Sequence, residues 1–260
     1  MYVLATDPQT ASRILDSAYK LFRASFRTQL VLATAVTVLM TLPLVGLAWA
    51  GAITDPFAII DLIFSARVLA ACLALAVACA VLYAAMMLRM EAFAQGEMIG
   101  IADTVTAAMR DLPRIAVASI VFMVVVAVGS VLIIPGLLFV QSLMFYLPAI
   151  ALDDKGAIES LSYSHRLVWG SWWRTAGIWG FGLLISTVVV YVATAVGLVL
   201  TLLPIDLAVL EVLEIVTQAL ATLFATPFLI ALWLELYRDL KLRKAQAAVI
   251  ATPDVSLRGN

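Results

Sequence analysis

The sequence predicts an all-α integral membrane protein: six transmembrane helices in three hairpins, each hairpin preceded by an amphipathic helix lying at the cytoplasmic interface. Three observations carry that reading. Of the 260 residues, 64% are hydrophobic and 13% charged, against roughly 45–50% and about 25% in soluble domains. Such a chain could not cover its surface with polar groups in water. Several uncharged runs approach the ~20 residues that a helix needs to cross a bilayer. Six spans also place 15 of the 16 Lys and Arg on one side, with only Arg67 opposite, and an odd number of spans would erase that asymmetry. The net charge of −1 suggests no nucleic acid or other polyanion as a partner.

Residues 1–27 read as a cytoplasmic amphipathic segment, 28–244 as a single six-span bundle, and 245–260 as a polar cytoplasmic tail expected to be disordered. In the first segment Ile14, Ala18, Leu21, Phe22, Ser25 and Phe26 share one helical face, with Arg13, Lys20, Arg23 and Arg27 away from it. Span 1 covers about 28–52, and Pro43 predicts a kink. Ala48-Trp49-Ala50 imitates a signal-peptidase site, but the apolar run from Leu30 exceeds the ~7–15 residues of a signal core, so it is read as a span. Span 2 covers about 68–90. Its Ala70, Ala74 and Ala78 form a small-residue stripe of the kind that lets helices approach closely in lipid. Cys72 and Cys79 lie two turns apart on the same helix, too far to bridge, and read as small buried residues.

Residues 91–114 are polar, and 115–152 contain no ionisable side chain. One helix over that run would be about 57 Å long, far more than a ~30 Å core requires. Pro135-Gly136 is therefore expected to form a tight turn between span 3 and a short span 4. Span 5 covers about 175–203 and should tilt or protrude. Pro204-Ile205-Asp206 turns the chain into span 6, about 209–237, with Pro227 inside it; Arg238, Lys241, Arg243 and Lys244 then form a basic tail. The positive-inside rule puts both termini in the cytoplasm, leaving Asp55, Asp61, Asp206, Glu211 and Glu214 on the outer side.

Each odd-numbered span follows a segment of one design, which reads as an internal repeat. Ile14 to Arg27 and Ile101 to Arg114 carry Arg at the same two offsets from the Ile, and Ile158 to Arg174 is the third copy. There Ile158, Leu161, Val168 and Trp172 recur at helical spacing, interrupted by His165, and Trp169, Trp172 and Trp173 are the expected interfacial anchors.

The residues 134–174 organise the rest of the chain. Pro135-Gly136, Leu147-Pro148-Ala149-Ile150, Asp153, Ser160 and Trp169-Gly170-Ser171-Trp172-Trp173-Arg174, with Leu236-Tyr237-Arg238-Asp239-Leu240, carry a resemblance over about 134–244. The stretch resembles the membrane domain attached to some bacterial glycerophosphodiester phosphodiesterases, and the related YciC-like family of bacterial inner-membrane proteins. The resemblance implies a multi-pass protein of the bacterial inner membrane. It implies no activity, because the phosphodiesterase chemistry of those fused proteins belongs to a separate soluble barrel with His and paired Glu around a metal. Six spans leave no room for such a barrel here.

The residues themselves suggest neither catalysis nor a metal or other cofactor. His165 is the only histidine, which offers no His-based metal site and no triad. Asp153, Asp154 and Glu159 surround Lys155 and read as a solvated turn capping the next helix. Met86, Met87, Met90 and Met98 lack His or Cys partners on their face and read as helix packing rather than a copper site. Arg23, Arg27, Arg110, Arg114, Arg166 and Arg174 could contact anionic lipid headgroups. Gln141, Tyr191, Glu211, Glu214 and Gln218 could form a polar seam among spans 4–6. Two readings follow. The first is a non-enzymatic protein organising membrane lipids, a protein partner or further copies of itself through its cytoplasmic interfacial helices. The alternative is a transport component using the polar seam.

Overall fold

A computed structural model describes residues 2–49, 65–200 and 206–251. From Ala11 on, the described chain is a succession of helices: α1 (Ala11–Trp49), α2 (Ala66–Ala94), α3 (Ile101–Arg110), α4 (Leu112–Ser130), α5 (Ile134–Leu143), α6 (Tyr146–Asp153), α7 (Ala157–Val168), α8 (Trp172–Leu200) and α9 (Leu207–Ala251). Six stretches are long and apolar enough to cross a membrane: Ala11–Leu42, Ala66–Ala94, Leu112–Ser130, Ile134–Asp153, Trp172–Val192 and Val212–Ile250. This is a multi-pass membrane protein.

The amphipathic segment before the first span is not a separate interfacial helix. It runs straight into the span as one 39-residue helix, because neither Gly nor Pro interrupts residues 11–42. Ile14, Ala18, Leu21 and Ser25 are buried against protein, since α1 packs along most of α9. Phe22 meets Phe228 edge-on and Phe26 stacks on Phe224 at 5.1 Å. The expected first outer connection with Asp55 and Asp61, the end of span 1 at Ala52, and the turn at Pro204-Ile205 fall outside the described residues.

Span 2 packs at its second half. Ala80, Ala84, Ala85, Met86, Met87 and Met90 are buried, whereas Ala70 and Ala74 are exposed, so the predicted alanine stripe is not what joins this helix to the bundle. Cys79 is buried but Cys72 is exposed, and both are free thiols.

The expected turn at Pro135-Gly136 lies slightly earlier, at 131–133. Pro135 sits in the first turn of α5, where a missing N–H costs nothing. Gly136 has a steric role: a Cβ there would stand 2.7 Å from Ser130 Cα, so its absence lets the arms of the hairpin touch. The return arm is two helices rather than one, broken between Leu143 and Tyr146. Ser164 on α7 patches the break, accepting from Phe145 N–H at 3.0 Å and donating to Ser142 O at 2.7 Å.

That contact explains why α7 does not present the predicted face. Ile158 is 61% exposed, while Ser160, Leu161, Ser164, Leu167 and Val168 are buried, so the helix inserts serines into the protein core. The last helix continues beyond Tyr237 to Ala251. Ala245, Gln246, Ala247 and Ala248 are strong helix formers, and the expected disordered tail therefore cannot begin before residue 252. Ser164→Ala would leave a buried amide and carbonyl without partners, and is expected to cost about 1–3 kcal/mol. Thermal unfolding of the detergent-purified protein, compared with exposed Ser162→Ala as control, checks this.

Candidate functional site

The buried residues concentrate at one end of the bundle, and so do the charges. The last helix carries Glu235, Arg238, Asp239 and Arg243 at i, i+3 and i, i+4 spacing, the separations at which helical side chains meet. Each of them also reaches a different part of the chain. Arg238 is the first centre. Its guanidinium contacts Glu91 at the end of α2 and Glu235 Oε1 at 2.6 Å, and donates to Tyr2 Oη at 2.6 Å. Tyr2 in turn donates to Glu235, and Gln95 donates to the other oxygen of Glu91 at 2.7 Å. Burial pushes the Tyr2 phenol well above its usual pKa, with the Arg238 charge opposing, so Tyr2 keeps the proton it donates.

Asp239 is the second centre and is only 3% exposed. Arg174 Nη1 lies 2.6 Å and Arg243 Nε 2.8 Å from its Oδ2, and the Gln9 backbone N–H donates to Oδ1 at 2.7 Å. Both arginines donate their remaining N–H groups to the Gln9 carbonyl, at 2.6 and 2.7 Å. One peptide unit of the N-terminal segment is thereby held from both sides. Asp153 is the third: Tyr237 donates to it at 2.7 Å, and Lys241 binds both of its oxygens at 2.7 and 2.9 Å.

Four cations (Arg174, Arg238, Lys241, Arg243) thus meet four anions (Glu91, Asp153, Glu235, Asp239). The N-terminal segment, the ends of α2 and α6, the start of α8 and residues 235–243 of α9 are thereby tied together. Sequence reasoning found Arg174 and Asp153 but gave them other roles, a headgroup contact and a solvated turn. Asp153 is instead held in the hub; Asp154 and Glu159 do form the exposed turn. Lys155 donates to Glu159 at 2.7 Å, and this hydrogen bond, with help from the Gly156 amide, lowers the carboxyl's pKa.

The remaining predicted residues are scattered. Arg23, Arg27, Arg110 and Arg166 are exposed and make no hydrogen bond or ion pair among the described residues. Arg114 pairs with Asp111 and Asp154. Trp169 and Trp173 are exposed; Trp172 is partly buried and stacks edge-on against Trp173 at 4.7 Å. His165 is exposed beside Trp169, ring centres 5.1 Å apart. The polar-seam residues are not gathered: Gln141 is buried with its Nε2 unpartnered, whereas Tyr191 and Glu214 are exposed and Gln218 half-buried. The side chain of Glu211 lies outside the described residues. Among the described residues no cluster of His, Cys, Asp and Glu could hold a metal.

One feature was missed from sequence because it joins distant segments. A cleft of about 530 Å³ opens between α7 and α9, lined by Tyr163, Arg166, Leu167, Lys241, Lys244 and Ala245. No carboxylate lines it. Lys244 donates to the Trp169 carbonyl at 2.8 Å and forms no salt bridge among the described residues; Arg166 forms none either, though the Glu159 carboxylate lies within reach of its charge.

Residues 2–240 match a family model described as Domain of unknown function (DUF7847). No curated protein and no solved structure matches the chain. Asp239→Ala would strand the two arginines at a site they share with one buried acid, and is expected to cost about 3–5 kcal/mol. The measurement is the thermal midpoint in detergent, where exposed Asp16→Ala should stay near the wild-type value.

Proposed function

The chain belongs to the DUF7847 family, and we propose that it is a non-catalytic membrane protein that organises lipids through phosphate-bearing headgroups held at its charged end. The cleft between α7 and α9 carries this reading. It brings Arg166 and Lys244 together beside Tyr163 with no acid among its lining residues, while Lys241 on its rim and the hub beyond are already charge-matched. Cations without a salt-bridge partner next to a neutral hub can take a ligand anion. A headgroup phosphate fits, since guanidinium and ammonium groups donate several hydrogen bonds to it. Arg23, Arg27 and Arg110, exposed and without acid partners among the described residues, extend the same attraction along the surface.

The positive-inside rule orients the charged end toward the cytoplasm. The resemblance of 134–244 to bacterial inner-membrane domains supports that membrane as its location. An organising role needs no buried nucleophile, and the α1–α9 and α8–α9 packing supplies a rigid frame for it. Transport along a polar seam among spans 4–6 draws less support, because Tyr191 and Glu214 are exposed rather than gathered beside Gln141.

Arg166→Ala and Lys244→Ala should each weaken binding of an anionic phospholipid by about 1 kcal/mol, roughly fivefold, and by about 30-fold together. Native mass spectrometry of the detergent-solubilised protein titrated with phosphatidylglycerol, against phosphatidylcholine as control, reads this directly. Equal retention of the two lipids, or an unaffected double variant, would count against the proposal.

A further inference from the structure

Residues 112–130 and 134–153 each have the length and apolarity of a span, yet three contacts hold that hairpin close to the charged end. At its foot Arg114 pairs with Asp154, next to Asp153 in the hub. Further along the return arm, Phe145 is hydrogen-bonded to Ser164 of α7 at 3.0 Å. Nearer the tip, Leu138 shares a cleft of about 590 Å³ with Trp169, Trp172, Trp173 and Arg174. Arg174 is the residue that pairs with Asp239 at 2.6 Å. Leu138 therefore stands beside the charged end with only four residues left before the arm begins at Ile134.

Four helical residues rise about 6 Å, while the hydrocarbon core is ~30 Å thick. From the same level, α8 rises about 39 Å between Arg174 and Leu200. Measured from Leu138, the tip falls short of the far side that α8 reaches, which requires the 19-residue α4 to run aslant rather than straight across. A hub standing further out into water would only shorten its reach.

The tip also has the chemistry of a segment that meets no water. Val131, Leu132, Ile133 and Ile134 are 82%, 71%, 72% and 70% exposed. The amides of Val131, Leu132 and Ile133 donate to the carbonyls of Val128, Gly129 and Ser130 at 3.4, 3.1 and 3.1 Å, and that of Ile134 to Leu132. Pro135 has no N–H to satisfy, and the Ser130 hydroxyl donates to Val126 O at 2.7 Å. Hydrocarbon demands that a backbone satisfy itself in this way. The other two turns expected on the far side contain Asp55, Asp61, Asp206 and Glu211; this one contains no ionisable residue at all.

We propose that α4 and α5 form a re-entrant hairpin, seated by its 131–134 tip among the acyl chains of the leaflet on the hub side. The chain then crosses the bilayer four times rather than six. Trp169, Trp172 and Trp173 beside Leu138 mark the headgroup level at which the hairpin enters. Because it enters and leaves on one side, both chain ends stay together, as the Gln9–Asp239 contact requires.

Single cysteines test this in full-length protein carrying Cys72→Ser and Cys79→Ser, reconstituted in liposomes. Asp7→Cys and Asp206→Cys should react with an impermeant maleimide from opposite sides. Leu132→Cys and Val131→Cys should react from neither side, and should react fully once detergent is added. A bimane on Leu132→Cys should be quenched at least threefold more by lipids spin-labelled in the acyl chain than by headgroup-labelled ones. Labelling of Leu132→Cys from the Asp206 side would show a full crossing and overturn the proposal. Labelling from the Asp7 side would place the tip in water, and resistance in detergent would place it against protein, such as a second copy; either also overturns it.

Discussion

A single buried carboxylate sets the terms for this structure. Asp239 lies on the last helix at the end of an apolar bundle, where an uncompensated charge would be expensive. Its compensation comes from three places far apart in sequence: Arg174 at the start of α8, Arg243 one turn on, and the Gln9 amide near the N-terminus. None of these partners would adopt its position for the others' sake. Arg174 and Arg243, like charges that repel, both donate to the Gln9 carbonyl with the Asp239 carboxylate between them. The neighbouring Arg238 repeats the arrangement with Glu91, Glu235 and Tyr2.

From this follows the uneven distribution of packing along the bundle. Near the hub, helices are joined by buried Met86, Met87, Met90, Leu147 and Ile150 and by serines with internal partners. Away from it, Val188, Val192, Val212 and Val216 are exposed, as expected where lipid tails are as apolar as the side chains and packing is the only drive to associate. The polar and ionic interactions thus sit mostly at one end of the bundle. The surplus cations Arg166 and Lys244 border that end, next to a region whose own charges are cancelled.

Class and most span positions were legible in the sequence because both depend on composition and run length, which are local. The i, i+3 and i, i+4 charge pairs of 235–243 were equally visible, but their partners Tyr2, Gln9, Glu91 and Arg174 were not, since nothing local encodes which distant segment will meet a helix face. The interfacial-helix pattern of 14–26 was read for lipid when the same apolar face meets α9; amphipathicity specifies an apolar partner without saying which. In α7, nothing in the local pattern marked Ser160 and Ser164 for burial. Ser164 is a core residue because the broken helix beside it exposes backbone groups that need a hydroxyl partner, whereas the buried Ser160 hydroxyl donates within α7 to the Ala157 carbonyl. The 115–152 run was legible as two stretches long enough to cross because length and hydropathy are local, whereas the break between Leu143 and Tyr146 was not.

The most direct measurement of the central claim is hydrogen exchange of the protein in lipid nanodiscs, read over the peptide containing Gln9. Residues 2–10 have little regular structure of their own, so protection there can come only from the Asp239 and Arg238 contacts. The account predicts a slowly exchanging Gln9 amide in the wild type and fast exchange in Asp239→Asn, with the α2 amides unchanged. Exchange of the wild-type segment at the rate of a free peptide would contradict it.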